Sequence, residues 1–274
     1  MRIVFSRKGF DSGSGGCPSP LVDERPHSLP IPTRKDSGRR YSEIAGGVGT
    51  MVEQLTGGRL TNNAFCHLDP DLDRDSISRR PGWRGAFGQV GMSQGHLANQ
   101  QVSVGDLFLF WGLFCPARLD GTWNFCGQRE HRIFGWMQID EVVHIGADPK
   151  PILQRFPWLE GHPHLVDGWS ASNTVYIARE QLELPGRTLT QPGWGLFKRG
   201  WRLTNDLSGL VSSWRVPDWL NPTRGGCGMT YHPLPRWSND GILRTAARGQ
   251  EFVANVSSDA SAIQWIADLF KEQS

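Results

Sequence analysis

Apolar residues in this chain gather in short runs divided by glycine, proline and charge, with few stretches of helical period. Arg2-Ile3-Val4-Phe5 opens the chain as a short apolar strand. The clearest run is Val104 to Phe114, opened by Gly105-Asp106; its length and aromatic content predict a buried strand. A charged loop follows, and then Arg132 to Val143 gives a second run. The pair predicts a long antiparallel hairpin inside a curved sheet or partial barrel. Further strands are expected at Thr174–Ala178, at Trp201–Thr204 and around Gln250–Val253. Helical spacing occurs twice. Ile44, Val48, Met51, Val52 and Leu55 predict a helix over 42–56 with Ser42 as its cap, although Gly46, Gly47 and Gly49 weaken it. Ala262, Ile263, Trp265, Ile266, Leu269 and Phe270 form the core face of a tail helix over 258–272, with Ser258 as a candidate cap. Mixed strands with few helices give an α+β class: one domain over 1–274, built on a central, mostly antiparallel sheet.

Composition narrows the function classes. At 274 residues the chain can bury a sizeable core. The net charge is only +2, so any nucleic-acid surface must be local. Arg34-Lys35 with Arg39-Arg40, and Arg79-Arg80 with Arg84, are the local basic clusters. The five cysteines are scattered and form no Cys-x-x-Cys pair, which argues against a zinc or redox motif. No apolar stretch is long enough to span a bilayer, and no signal-peptide pattern precedes the first strand. A reduced, cytoplasmic protein with no membrane partner is the expectation. Twelve tryptophans and 33 glycines are unusual; core packing is the ordinary role for such rings, and stacking on bases or sugars is the functional alternative.

Four segments carry candidate chemistry. The first is the loop after the opening strand, Ser6-Arg7-Lys8-Gly9-Phe10-Asp11-Ser12-Gly13-Ser14-Gly15-Gly16. Its glycines let backbone approach a ligand, its N–H groups suit an anion, and Arg7 and Lys8 suit phosphate. Asp11 is the lone carboxylate there and the first candidate for acid–base work; Ser12 and Ser14 add hydroxyls. A Gly/Ser turn is the structural alternative. The second is His67-Leu68-Asp69-Pro70-Asp71-Leu72-Asp73-Arg74-Asp75. It begins like a calcium loop but lacks the glycine and terminal glutamate of an EF-hand. If extended, it sets His67, Asp69 and Asp71 on one face; a polar turn is the other reading. The third, Gly88 to Asn99, offers Gln89, Gln94 and His96 on glycine-rich backbone, suited to a base edge or to a plain loop. The fourth, Arg248-Gly249-Gln250-Glu251-Phe252-Val253, places a base, an amide and an acid together, with Gln250 and Glu251 on opposite faces of a regular strand. His162-Pro163-His164 lies in a loop with no nearby cysteine or acid pair, so metal binding is its lesser reading.

Phe5-Ser-Arg-Lys-Gly-Phe-Asp-Ser12, His67-Leu-Asp-Pro-Asp-Leu72, Gly105-Asp-Leu-Phe-Leu-Phe110 and Arg248-Gly-Gln-Glu-Phe-Val253 together resemble the third type of nucleotide modification associated domain, across nearly the whole chain. The 105–143 region alone also resembles small barrels of the PUA and EVE type. The family resemblance implies a substrate class, hypermodified bases in phage and bacterial DNA, more than a reaction. It points to Asp11, Ser12, His67, Asp69, Asp71, Gln250 and Glu251. The chain has no dinucleotide fingerprint, Walker loop or zinc-deaminase motif, so the expectation is chemistry by water and carboxylates, with no cofactor and no metal. Hydrolysis of an N-glycosidic bond fits, through an oxocarbenium-like transition state. The expected activity is therefore a DNA glycosylase that flips and excises hypermodified bases, such as glucosylated hydroxymethylcytosine, in antiphage defence. Asp11 is its catalytic carboxylate and Glu251 or Asp71 the second acid. Arg7, Lys8 and Arg248 hold phosphates, and Ser12, Ser14, His67, Asp69, Gln89, His96 and Gln250 contact substrate. A transferase that builds a modified base, a non-catalytic reader and a magnesium nuclease using Asp69–Asp75 are the alternatives.

Overall fold

The computed structural model describes residues 1–271 apart from 35–37, 167–169, 188, 248 and 258. Ten strands join in one mixed, mostly antiparallel sheet. Its main path runs Glu251–Asn255, Arg2–Arg7, Leu107–Asp120, Glu130–His144, Thr174–Ala178 and Ala86–Gln89. The first strand pairs antiparallel with Glu251–Asn255 and parallel with Leu107–Asp120. The two long central strands pair antiparallel from Glu130↔Phe114 to Gln138↔Leu107, as their apolar runs predict. Trp194–Arg202 adds to the Glu130–His144 strand, and the register slips between Ile133 and Gly135. Such an extra residue bends the strand.

The sheet curls without closing. Its two end strands share no backbone ladder, yet Gln89 Nε2 donates to Glu251 Oε1 across the gap at 2.7 Å. Period-two alternation sorts the side chains onto two faces. Ile3 and Phe5 pack outward with Leu107, Leu109, Trp111, Phe252 and the tail helix Ala260–Lys271. Val4 packs inward with Phe87, Phe108, Phe110 and Val253. Ser6 and Glu251, which face each other in register, fall on this inner side at the end of the apolar layer. The interior of the curl is thus greasy at one level and polar at the next.

Local departures from expectation have physical causes. Gly46 and Gly47 take left-handed φ values of 75° and 72°, so the helix expected over 42–56 starts only at Val48, and Ser42 sits in a separate 3-10 turn instead of capping it. Ser258 lies outside the described residues; Asp259 Oδ1 accepts from the N–H groups of Ser261 and Ala262 and caps the tail helix. The strand expected at Trp201–Thr204 begins earlier, at Trp194. The segment 88–99, expected to be a base-contacting stretch or a plain loop, is the end of the Ala86–Gln89 strand and the helix Gly91–Asn99. That helix buries only Gln94 and Leu97, so no apolar stripe announced it.

Candidate active site

The polar end of the curl opens into a cleft of about 310 Å³. The first strand delivers its opening loop to the mouth. Arg7 N–H donates to the Gln250 carbonyl and Lys8 N–H to the Trp111 carbonyl, which carries the ladder one step past the strand end. Gly9 then turns at φ 81°, where an added Cβ would meet Ser28 Oγ at 2.6 Å. Beyond it, Asp11 Oδ1 accepts from the N–H groups of Gly13 and Ser14, both at 2.7 Å, and Oδ2 accepts from Arg7 Nη2 at 2.6 Å. Asp11 therefore folds its own loop and fixes Arg7, with its carboxylate on the cleft wall.

Below the mouth lies a buried ion pair. Lys8 Nζ donates to Glu251 Oε1 at 2.9 Å and rests 4.3 Å from the centre of the Phe87 ring. Glu251 is 1 % exposed and the Lys8 side chain 10 %. Gln89 shares Glu251 Oε1, while Glu251 Oε2 and Ser6 Oγ are buried with no hydrogen-bond partner. Desolvating such a pair costs several kcal/mol per ion. Full burial of Phe87, Phe108 and Phe110, at about 1.5–3 kcal/mol each, offsets a cost of that size.

The opposite wall is a histidine cluster around Asp69. Its Oδ1 accepts the Gly88 N–H at 2.8 Å and lies 3.4 Å from His162 Nε2. Its Oδ2 lies 3.8 Å from His67 Nε2 and 3.9 Å from His164 Nε2. Burial works to raise the Asp69 carboxyl, but the imidazoles of His162 and His67, with His164 close by, hold it far below the usual carboxylate range. Burial takes His164 the other way, down to about 4, against the pull of Asp69. His164 Nδ1 bonds Asn173 Oδ1 at 2.7 Å, and Asn173 Nδ2 donates to the His164 carbonyl at 2.8 Å.

The cleft therefore gathers residues from all four sequence clusters. Arg7, Lys8, Asp11 and Ser14 line it from the first, His67 and Asp69 from the second, Gln89 from the third and Gln250 from the fourth. Glu251 supports its floor through Lys8 and Gln89. Other candidates lie elsewhere. Asp71 does not share the face of His67 and Asp69 toward this cleft: it grips Arg79 with both oxygens, and its backbone bridges Ala86. His96 bonds Thr230 Oγ1 away from the cleft, and Ser12 is exposed on its loop without lining it. Arg248 falls outside the described residues. Among the described residues no tryptophan lines the cleft; Trp111, Trp214 and Trp219 are core. By sequence alone His162-Pro163-His164 has only a lesser metal reading and Asn173 no role, because the acid beside these histidines, Asp69, comes from a distant segment.

The family model of nucleotide modification associated domain 3 matches residues 2–255. The chain belongs to that family. Every cleft residue named above lies inside the span matched. Membership in nucleotide modification associated domain 3 ties the chain to modified nucleotides. No curated protein and no solved structure matches it. No helix among the described residues is long and apolar enough to cross a membrane.

Proposed function

We propose that this protein is a DNA glycosylase that takes an extruded, hypermodified nucleotide into the cleft and hydrolyses its N-glycosidic bond, leaving an abasic site. The observation that carries the reading is the meeting of Asp11 with Lys8, anchored from below by Glu251, at one cleft of about 310 Å³. That volume is at the low end of small-ligand pockets, about 300–1,000 Å³, and suits a single flipped nucleotide rather than a duplex.

In this reading each residue has a task. Asp11, held by Arg7 and two N–H groups, presents negative charge to the sugar as it becomes oxocarbenium-like. Asp11 also takes the proton of the attacking water, while Glu251, buried below the cleft, holds Lys8 and Gln89 in place through Oε1. Arg7 contacts a backbone phosphate. Gln89, Gln250 and Ser14 offer hydrogen bonds to the base and its added group. Asp71 has no part in this scheme. The biological setting that fits is defence against phage with glucosylated hydroxymethylcytosine or a related base.

The test is to incubate the purified protein with phage DNA bearing such bases and with unmodified DNA, then to count alkali-labile sites. Sites are expected on modified DNA only, and Asp11→Asn should lower their rate by about 10²–10³-fold, the scale of losing one transition-state stabiliser. A folded protein that leaves every modified DNA intact would end the proposal.

A further inference from the structure

We infer that His67, Asp69 and His164 form a binding site for one divalent first-row transition-metal ion on the wall of the cleft. One ligand atom from each lies within 4.8 Å of the others. Metal–nitrogen and metal–oxygen bonds of about 2.0–2.2 Å set tetrahedral donors about 3.4 Å apart. The observed 3.8 and 3.9 Å from Asp69 Oδ2 to the two imidazoles need a contraction of about 0.5 Å, and the imidazole–imidazole edge, at up to 4.8 Å, a larger one.

Hydrogen bonding around the cluster orients the donors. Asn173 Nδ2 donates to the His164 carbonyl, which leaves Asn173 Oδ1 as the acceptor facing His164 Nδ1. His164 Nδ1 therefore carries a proton, and Nε2 is the ring nitrogen turned toward Asp69 Oδ2. On the far oxygen, the Gly88 N–H takes up Asp69 Oδ1 and leaves Oδ2 for the imidazole side. An imidazole fixed by an outer amide and a carboxylate fixed by an outer donor are the usual second layer of a metal site.

The donor set selects the class of ion. Two imidazoles and one carboxylate suit zinc, manganese, iron(II) or cobalt(II), whereas calcium and magnesium prefer oxygen alone. Three protein ligands leave a coordination position open, and because all three residues line the cleft it faces the bound ligand. A water molecule or an oxygen of the substrate's phosphate or added sugar would fill it. This inference does not depend on the glycosylase reading, since it is tested without DNA.

Cobalt(II) is a suitable probe because its visible absorption reports coordination. Titrating it into the full chain, with the exposed Cys126 and Cys227 changed to serine, should give visible bands that saturate at one ion per chain. Zinc should displace it. His67→Ala and His164→Ala should each weaken binding by more than 100-fold, and Asn173→Ala by about 10–100-fold. Circular dichroism checks that each variant is folded; if His164→Ala is not, His67→Gln serves, because that side chain is partly exposed. No binding of cobalt or zinc by the folded unmutated site at 100-fold molar excess overturns the proposal. So does undiminished affinity in a folded His67 variant.

Discussion

At the scale of single residues, the most demanding feature is the charge that the chain buries. Lys8 and Glu251 are held on adjacent strands by one short contact, with Gln89 as the third member. Removing one member of a buried pair leaves the other charge uncompensated, at about 3–5 kcal/mol. Glu251→Gln should therefore lower unfolding free energy by about that amount in urea titrations, besides lowering activity; a loss below about 1 kcal/mol would show that Lys8 finds water. Two histidines, half-buried His131 and buried His232, make a separate prediction. Burial, with Arg7 nearby, lowers His131 to about 3, and its Nδ1 accepts the Trp214 Nε1–H. Burial also lowers His232 to about 4, and its Nε2 accepts the Ala246 N–H. Both are neutral when folded, while the unfolded chain protonates them near pH 6.5. Between pH 6.5 and 4 the unfolded state binds more protons, so stability is full above pH 6.5 and falls as the pH is lowered. The unfolding free energy from urea titrations should be lower at pH 4.5 than at pH 7 by a few kcal/mol, about 1.4 kcal/mol for each pH unit and ring. A flat profile would contradict the burial of these rings.

At the scale of elements, the strand Ala86–Gln89 joins the two halves of the site. Gly88 donates to Asp69, and a Cβ at Gly88 would stand 2.2 Å from the His164 ring. Gly88→Ala should push that ring aside, cost about 1–3 kcal/mol as overpacking does, and depress activity. Full stability and activity in that variant would mean that the strand and the histidine turn are not closely packed. Asp259→Ala is the matching control far from the cleft. It removes the tail-helix cap and should cost about 1 kcal/mol with activity intact, as read by thermal melting and the DNA assay together. The elements that sequence pattern revealed are those with a strong period: the two long central strands and the tail helix. Gly91–Asn99 escaped because its buried face is mostly polar, with Gln94 bonded to Tyr176. The start of the helix at Val48 was set by backbone handedness at Gly46 and Gly47, which a count of apolar spacing does not see.

At the scale of the whole molecule, the site exists because the sheet curls until its end strands face each other. Lys8, Asp69, Gln89, His164 and Gln250 then share one cleft, although each segment alone also has an ordinary structural reading. The chemistry-bearing clusters were legible one at a time; their convergence was not, because it depends on a parallel pairing of the first strand and on curvature at register slips. Asp71 shows the limit of spacing arguments. It alternates correctly with Asp69, yet the chain turns there and Arg79 claims it. The claim that matters most is that this cleft breaks the bond between base and sugar. Mass spectrometry of the small molecules released from DNA carrying glucosylated hydroxymethylcytosine tests it most directly. Free modified base should appear in solution, in step with abasic sites in the DNA, and should be lost in Asp11→Asn. Release of nucleotides, or of the sugar alone, or of nothing from a folded protein would contradict it.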